Sequence, residues 1–264
     1  MWKSLIVLLL PALLAAKVHY AKVEPYETIT LKAAASGLVV DVNLNAEGTL
    51  VKNGRVIRID DRLDSIDLND TKESLALIEQ MLGINQEIAG SLAETVRRQE
   101  GYYNRISKLA TASRTQKDNA YSAFASAKTQ YLGTKEKIAS LKKQILDMRY
   151  KIDMLEDTIE KKSVVLHNRY LDRLLVREGD YVAPGSPLAR IDDTTQAKLV
   201  LFLEAEELPG IEQKHVFLNG KKTPYRVNKV WRVADEKYIS SYRAEIYIPA
   251  PKSNFSTLMK VELK

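Results

Sequence analysis

The sequence has 264 residues with 28% charged and 45% hydrophobic side chains, and its 40 basic and 34 acidic residues give a net charge of +6. Because acidic residues are interspersed with the basic ones, this charge indicates a solvated surface and argues against a nucleic-acid-binding protein. Cysteine is absent, which excludes disulfide bonds, thiolate metal sites and a lipid-modified N-terminal cysteine.

Residues 1–16 have the pattern of a secretory signal. Lys3 precedes an apolar run over residues 5–14, and Ala15 and Ala16 follow it. The run is shorter than the roughly 20 apolar residues that a membrane-spanning helix needs. Small residues favour cleavage near Ala16, whereas Leu14 at the −3 position favours an uncleaved anchor, and both alternatives stay open. We expect an exported protein that is either free or tethered at its N-terminus.

Residues 33–63 predict half of a β-module, with short strands separated by glycine turns. Gly37, Gly48 and Gly54 stand where the chain must reverse or kink. Glycine suits such positions because it adopts positive φ angles without strain.

Residues 64–162 predict a long antiparallel helical hairpin. Apolar residues recur at alternating steps of three and four, first over residues 75–110 and again over residues 120–159. Such a seam requires a partner helix, and the short segment 111–116 between the two runs permits a tight reversal. Each arm would be roughly 60–70 Å long at about 1.5 Å per residue. The predicted pairs are Tyr103 with Phe124, Val96 with Tyr131, Ala89 with Ile138 and Leu82 with Ile145.

Residues 163–193 repeat the pattern of residues 33–63. Gly179 and Gly185 correspond to Gly48 and Gly54, with an offset of one residue after the second glycine. Each half has only about thirty residues and would be unstable alone, so we expect the two halves to form one β-sandwich. The aspartate pairs at 60–61 and 192–193 end predicted strands, so we interpret them as turn residues rather than catalytic carboxylates.

Residues 194–264 predict a small β-barrel, to which residues 23–32 can add an early strand. Apolar and polar residues alternate in three segments, and Asn219-Gly220 is typical of a hairpin turn. The alternating apolar positions are Leu199, Leu201, Leu203, Ala244, Ile246, Ile248, Met259, Val261 and Leu263.

The order of these parts resembles that of the periplasmic membrane fusion proteins, the HlyD-like secretion and efflux adaptors of Gram-negative bacteria. The resemblance covers residues 23–263. It implies an α+β fold in which a long antiparallel coiled-coil hairpin is inserted into a split lipoyl-like β-sandwich, followed by a small β-barrel. The family's membrane-proximal domain is expected to be absent or vestigial. The matching phrases are Ser36-Gly37-Leu38-Val39, Glu47-Gly48-x-x-Val51, Arg177-Glu178-Gly179-x-x-Val182-x-x-Gly185 and Ile191-Asp192.

The sequence contains no recognisable catalytic motif. A lipoyl or biotinyl carrier would present a modifiable lysine on a hairpin between its two halves, but here the helical hairpin occupies that junction. His19, His167 and His215 are far apart in sequence, which argues against a metal site. The sequence has neither a phosphate-binding glycine loop nor a serine nucleophile in a recognisable elbow. We expect a non-enzyme without cofactor or metal.

The tip of the hairpin is the candidate docking site. In adaptors that dock onto TolC-like channels, the tip carries an arginine, a leucine four residues later and a serine across the turn. Arg105 and Leu109 have this spacing. Ser113 comes three residues earlier than in the family pattern, where Gln116 stands, and this indicates a shortened loop. The alternative is a solvated arginine beside a leucine that ends the seam.

The resemblance implies a periplasmic adaptor subunit of a tripartite efflux or secretion system. Such a subunit bridges an inner-membrane transporter and a TolC-like outer-membrane channel as a homo-oligomer, often a hexamer, and has no nucleic-acid partner. The alternative is a periplasmic coiled-coil spacer without transport partners. The split β-repeat argues against a spacer, which needs no such module.

Overall fold

A computed structural model describes residues 17–238, 240–251 and 255–264, so the predicted signal over residues 1–16 lies outside the described residues. The fold is α+β and confirms the helical hairpin inserted into a split β-module. The helices are α1 (Arg62–Lys108) and α2 (Arg114–Lys161). The strands are β1 (Val18–Lys32), β2 (Gly37–Val42), β3 (Thr49–Ile59), β4 (Ser163–Leu174), β5 (Tyr181–Val182), β6 (Pro187–Glu204), β7 (Val216–Leu218), β8 (Lys221–Lys222), β9 (Lys229–Ala234), β10 (Ser241–Pro249) and β11 (Leu258–Leu263).

The two helices form an antiparallel hairpin of about 70 Å, since each has close to 50 residues that rise about 1.5 Å apiece. The predicted pair Tyr103 and Phe124 stacks with ring centroids 6.2 Å apart. Leu82 and Ile145 line one groove between the arms. The most buried seam positions are Thr71 and Asn85 on α1 and Ala120, Ala127, Leu141, Ile145 and Ile152 on α2. Within the described part of the chain, neither helix is apolar enough to cross a bilayer.

The segments on either side of the hairpin close one β-module, as the repeat predicted. β3 pairs with β4 antiparallel over most of its length, and β2 pairs with β5. Val39 and Ile59 from the first half share a core with Leu171 and Val182 from the second half. Because both halves contribute to the same core, the hairpin leaves the module as a single stalk.

The glycine turns are only partly as predicted. Gly48, Gly179 and Gly185 have positive φ angles of 76°, 94° and 91°. At Gly37 a Cβ atom would lie 2.6 Å from Ile59 Cγ2, so the close approach of β3 requires glycine there. The prediction of a turn at Gly54 is wrong: Gly54 lies inside β3 opposite Leu166. The long ladder with β4 keeps the chain extended at this point, so the two halves differ beyond their second glycine.

The last third does not close into a barrel, contrary to the sequence-based expectation. The strands continue the same sheet in the order β9-β10-β6-β1-β11-β7-β8, and the described residues show no ladder between β9 and β8. β7 and β8, at the far end of this sheet, have only three and two residues. The predicted alternation nevertheless places Leu199, Leu201 and Leu203 in a common core with Ile246 and Val261.

Two strands run through both parts of the sheet. β1 pairs with β6 from Lys22 to Lys32, with an irregularity between Pro25 and Glu27, and its start pairs with β11. β6 extends to Glu204, where it pairs with β10. Asp192 and Asp193 therefore lie within a strand, and their interpretation as strand-ending turn residues is wrong. These shared strands join the two cores into one continuous structure.

The hairpin is fixed to the module at its base. Ile59 N donates to Lys162 O over 2.8 Å, which links the two ends of the stalk. The Lys162 ammonium donates to Asp64 Oδ2 at 2.5 Å and to the carbonyl oxygen of Asp60 at 2.9 Å. Arg62 donates two side-chain hydrogen bonds to the Asp60 carboxylate and lowers its pKa to about 2. The ion pair of Arg62 and Asp60 thus persists well below neutral pH.

Replacing Lys162 with alanine is expected to loosen this junction. The Lys162 and Asp64 side chains are only 12% and 24% exposed, so Asp64 would be left partly buried without its cation. We expect Lys162→Ala to lower the free energy of unfolding by about 1.5–3 kcal/mol, measured by urea titration at neutral pH. Lys161→Ala is the matched control because Lys161 forms an exposed ion pair with Asp157 in its own helix. The control should change stability by no more than about 0.5 kcal/mol. Equal losses in both variants would contradict a special role for Lys162.

Candidate functional site

The tip of the hairpin is a five-residue connection, from Leu109 to Ser113. α1 ends with Leu109 at its C-cap, where Leu109 N donates to Ile106 O. α2 begins with a capping box. The backbone N–H of Gln116 donates to Ser113 Oγ at 3.2 Å, and the backbone N–H of Ser113 donates to Gln116 Oε1 at 2.9 Å. These reciprocal bonds satisfy two free amides at the start of the helix and fix the geometry of the turn.

The three predicted docking residues all lie at this tip. Leu109 is 49% exposed, a large apolar side chain at the end of the stalk. Arg105 is exposed one turn below it, with its Nη1 atom beside Gly101 of the preceding turn. Ser113 is also exposed, but its hydroxyl oxygen already accepts the capping bond. Whether these residues dock a channel stays a prediction.

The charge of the tip is strongly one-sided. Between residues 101 and 118 the chain carries Arg105, Lys108, Arg114 and Lys117 but only one acidic residue, Asp118. Asp118 lies 3.9 Å from Arg114, and both side chains are largely exposed. A net positive end around an exposed leucine suits an acidic or carbonyl-rich groove with an apolar floor.

An aromatic cluster joins the arms just below the tip. The ring of Tyr103 contacts those of Tyr121 and Phe124, with centroids 5.5 Å and 6.2 Å away. Tyr102 and Tyr121 remain about half exposed. Aromatic pairs of this kind stabilise by about 0.5–1.5 kcal/mol beyond their burial. The cluster therefore helps to hold the arms together just below the tip, and Tyr102 and Tyr121 present their phenol groups beside the basic residues.

Sequence reasoning missed the capping box and the exposed tyrosines. Ser113-x-x-Gln116 is a capping-box pattern, and it would have placed Ser113 at the N-cap and the start of α2 at Arg114. Tyr103 was assigned to the seam, but the neighbouring Tyr102 and Tyr121 gave no periodic signal. Their exposure could only be found once the direction of each helix face was known.

The remaining polar groups do not form a catalytic or metal centre in the described residues. His19 Nε2 lies 2.7 Å from Glu207, and His215 contacts Arg226 at another place in the sheet. Desolvation and then the charge of Arg226 lower the pKa of His215. Throughout residues 17–238, 240–251 and 255–264, no group of three or more histidine, aspartate or glutamate side chains is placed to hold a metal ion.

The two aspartate pairs are engaged separately. Asp60 binds Arg62 at the base of the hairpin, whereas Asp192 accepts a 2.6 Å hydrogen bond from Thr28 Oγ1. Asp193 lies 2.7 Å from Arg169, and its pKa is lowered mainly by hydrogen bonds from Thr195. Asp60 and Asp193 thus bind different cations, and Lys162 binds Asp64.

The fold is shared with known membrane fusion proteins. The chain is similar to MacA from Actinobacillus actinomycetemcomitans, with a TM-score of 0.72 at 12% identity over 94% of this chain and 78% of that one. It is also similar to a MacA–MexA chimera that contains the α-hairpin domain of Pseudomonas aeruginosa MexA, with a TM-score of 0.59 at 14% identity over 94% and 81% of the two chains.

A third similar structure is the membrane fusion protein Spr0693 from Streptococcus pneumoniae R6, with a TM-score of 0.59 at 9% identity over 94% of this chain and 99% of that one. No protein-family profile and no curated protein matches the sequence. At these identities the likeness shows the fold, and the fold is that of a membrane fusion protein.

The capping role of Ser113 predicts a local effect. Ser113→Ala removes the bond to Gln116 N and should cost about 1 kcal/mol at the start of α2. Amide hydrogen exchange at residues 115–117 should then become roughly fivefold faster. Ser113→Asn, which can cap as well as serine, should exchange at the original rate. Unchanged exchange in the Ser113→Ala variant would show that the cap does not hold the turn.

Proposed function

We propose that this chain is the periplasmic adaptor subunit of a tripartite efflux or secretion system, bridging an inner-membrane transporter and a TolC-like outer-membrane channel. The observation that carries this proposal is a stiff stalk of about 70 Å that rises from a closed β-module and ends in an exposed, basic and apolar tip. The chain acts by binding and spanning, without cofactor or catalysis, and the transporter supplies the energy.

The stalk supports this function because it is fixed at its base. The ladder of β3 with β4, the bond from Ile59 to Lys162 and the ion pair of Lys162 with Asp64 set the direction in which the hairpin leaves the module. A stalk on a fixed base holds its tip at a defined distance from the sheet. Reaching a partner across a compartment requires such a defined distance.

The tip supports docking on a helical partner. A hairpin end that is two helices wide can enter the groove between helices of a coiled-coil channel mouth. Leu109 would supply the apolar anchor, and Arg105 with its basic neighbours would bind carboxylates or helix C-terminal carbonyl groups. The exposed Tyr102 and Tyr121 would extend this contact along the arms.

The sheet end is proposed to face the inner membrane and its transporter. Several copies would assemble into a ring, a hexamer by family resemblance, so that the stalks together enclose a conduit. Export by the N-terminal segment would place the protein in the periplasm, free or tethered to the inner membrane.

Reversing the charge at Arg105 should abolish export. Arg105 is exposed and forms no ion pair in the described structure, so Arg105→Asp should leave the melting temperature within about 1 °C of wild type. Lys143→Asp is the matched control, because Lys143 is also exposed and unpaired but lies near the middle of the stalk, about 40 Å from the tip. Transport assays in cells should show loss of export for Arg105→Asp and retention for Lys143→Asp. Full export by the Arg105→Asp variant would remove the tip from the mechanism.

Photo-cross-linking from position 109 separates the adaptor from a structural spacer. A photoreactive residue in place of Leu109 should give an adduct with an outer-membrane channel, identified by mass spectrometry, and Arg105→Asp should remove it. Adducts only between copies of this chain would favour the spacer without transport partners.

A further inference from the structure

One face of the stalk carries an apolar ridge that its own hairpin leaves uncovered. Leu77, Met81, Ile84 and Ile88 are each between 44% and 62% exposed. Each residue directly precedes a seam residue of α1, so all four lie on one side of the seam. The ion pair of Asp67 with Lys151 crosses between the arms on this same side. Four large apolar side chains in a row on a solvated coiled coil indicate a missing partner.

The opposite face of the stalk has a shallow groove at the same height. Gly83 and Gly90 each directly follow a seam residue of α1, so they lie on the other side of the seam from the apolar ridge. Ion pairs of Glu79 with Arg149 and of Lys72 with Glu156 cross between the arms on this side. A groove of about 490 Å³ runs between the arms here, with Leu82, Ile145 and Leu146 among its lining residues. We call the surface formed by this groove together with Gly83 and Gly90 the glycine groove.

The glycines need an explanation because each costs helix stability. A glycine inside a helix is less stable than alanine by about 0.5–1 kcal/mol. A Cβ atom at Gly83 or Gly90 would meet no atom within 4 Å, so nothing in the chain itself requires their small size. Two such residues exactly one heptad apart suit the close approach of another helix from outside.

Charges beside the two surfaces are complementary. Glu73, Glu87 and Glu94 lie on the outer face of α1, which borders the apolar ridge, at intervals of fourteen and seven residues. Lys128, Lys135 and Lys142 recur every seven residues on the glycine-groove side of α2. All six are exposed, and none has an opposite charge within 4 Å in the described part of the chain. Since Leu82 pairs with Ile145 and Ala89 with Ile138, Lys142 and Lys135 lie at nearly the same height as Glu87 and Glu94.

We propose that stalks of neighbouring copies pack side by side, with the apolar ridge of one copy in the glycine groove of the next. The two surfaces differ and lie on opposite faces at one height, so the contact is heterologous and can repeat around an axis parallel to the stalk. Each contact covers four exposed apolar side chains, accounts for both glycines and brings Glu87 and Glu94 of one copy near Lys142 and Lys135 of the next. The inference rests on the proposed ring of copies and identifies the surface that holds its stalks together.

Cysteine cross-linking in cells tests the contact, because the natural sequence has no cysteine. Ile88→Cys and Gly90→Cys in one chain place a thiol on each surface at nearly equal height. Mild oxidation should give a ladder of covalent oligomers, and its highest rung should report the number of copies. Either substitution alone should give no dimer, whereas co-expression of the two single variants should give a dimer. Homodimers of Ile88→Cys alone, cross-links of Ile88→Cys to another protein, or no ladder at all would overturn the proposal.

Filling the groove provides the second test. Gly83→Gln in the chain with both cysteines should reduce the ladder at least roughly tenfold, because a long side chain excludes the ridge. It should not lower the melting temperature, since the position is open and glutamine favours helix over glycine. Gly101→Gln is the matched control: Gly101 faces away from the seam, and a Cβ there meets only Arg105 Nη1 at 3.6 Å. An undiminished ladder in the Gly83→Gln chain would contradict the proposed packing.

The same reagents separate this inference from the proposed function. Arg105→Asp should leave the ladder intact, because the tip is remote from the contact. A channel adduct at position 109 without any ladder would refute the lateral contact and leave bridging in place. A full ladder without the channel adduct would support the lateral contact and refute bridging to the channel.

Discussion

The structure depends on the antiparallel ladder between β3 and β4, two strands that a hairpin of about 100 residues separates in sequence. Their pairing brings Ile59 and Lys162 within one hydrogen bond, so α1 and α2 must leave the module together. Closing so long a loop costs conformational entropy. Pairing of the two helices along the coiled-coil seam offsets that cost, because it brings the ends of β3 and β4 together. The seam and the β3–β4 pairing therefore stabilise each other, and the sheet sets the direction of the stalk.

A coiled coil of only two helices cannot bury a wide apolar face. The seam hides residues such as Leu141 and Ile145, but side chains one position away stay in solvent. In this chain the exposed positions are not equivalent: four large apolar residues of α1 line one face, Gly83 and Gly90 lie on the other, and cations collect at the tip. The outer surface of the stalk thus has three chemically distinct regions, which suits a subunit that contacts copies of itself along its length and a different partner at its end.

The parts of the fold that the sequence predicted correctly are those with short-range signals in the sequence. The 3.5-residue period located both arms, and the repeated glycines identified two halves of one module. The barrel, the turn at Gly54 and the ends of strands at Asp192 were predicted wrongly for a common reason. Each depends on which distant strand pairs alongside: β4 keeps Gly54 extended, and β1 carries β6 past Asp192 into the second core. Strand pairing is non-local, so periodicity within one segment cannot reveal it. At the tip, Arg105 and Leu109 were located by spacing, whereas the capping role of Ser113 depends on a side-chain bond.

The central claim is that a stalk of fixed length holds its tip at a required distance from the sheet. Deleting residues 91–97 together with 130–136 removes one heptad from each arm, keeps the remaining seam in register, and spares the tip, the base, the apolar ridge, Gly83 and Gly90. The stalk shortens by about 10 Å. Export measured in cells should be lost although the shortened chain folds and reaches the periplasm at the normal level. Undiminished export by the shortened chain would contradict the claim.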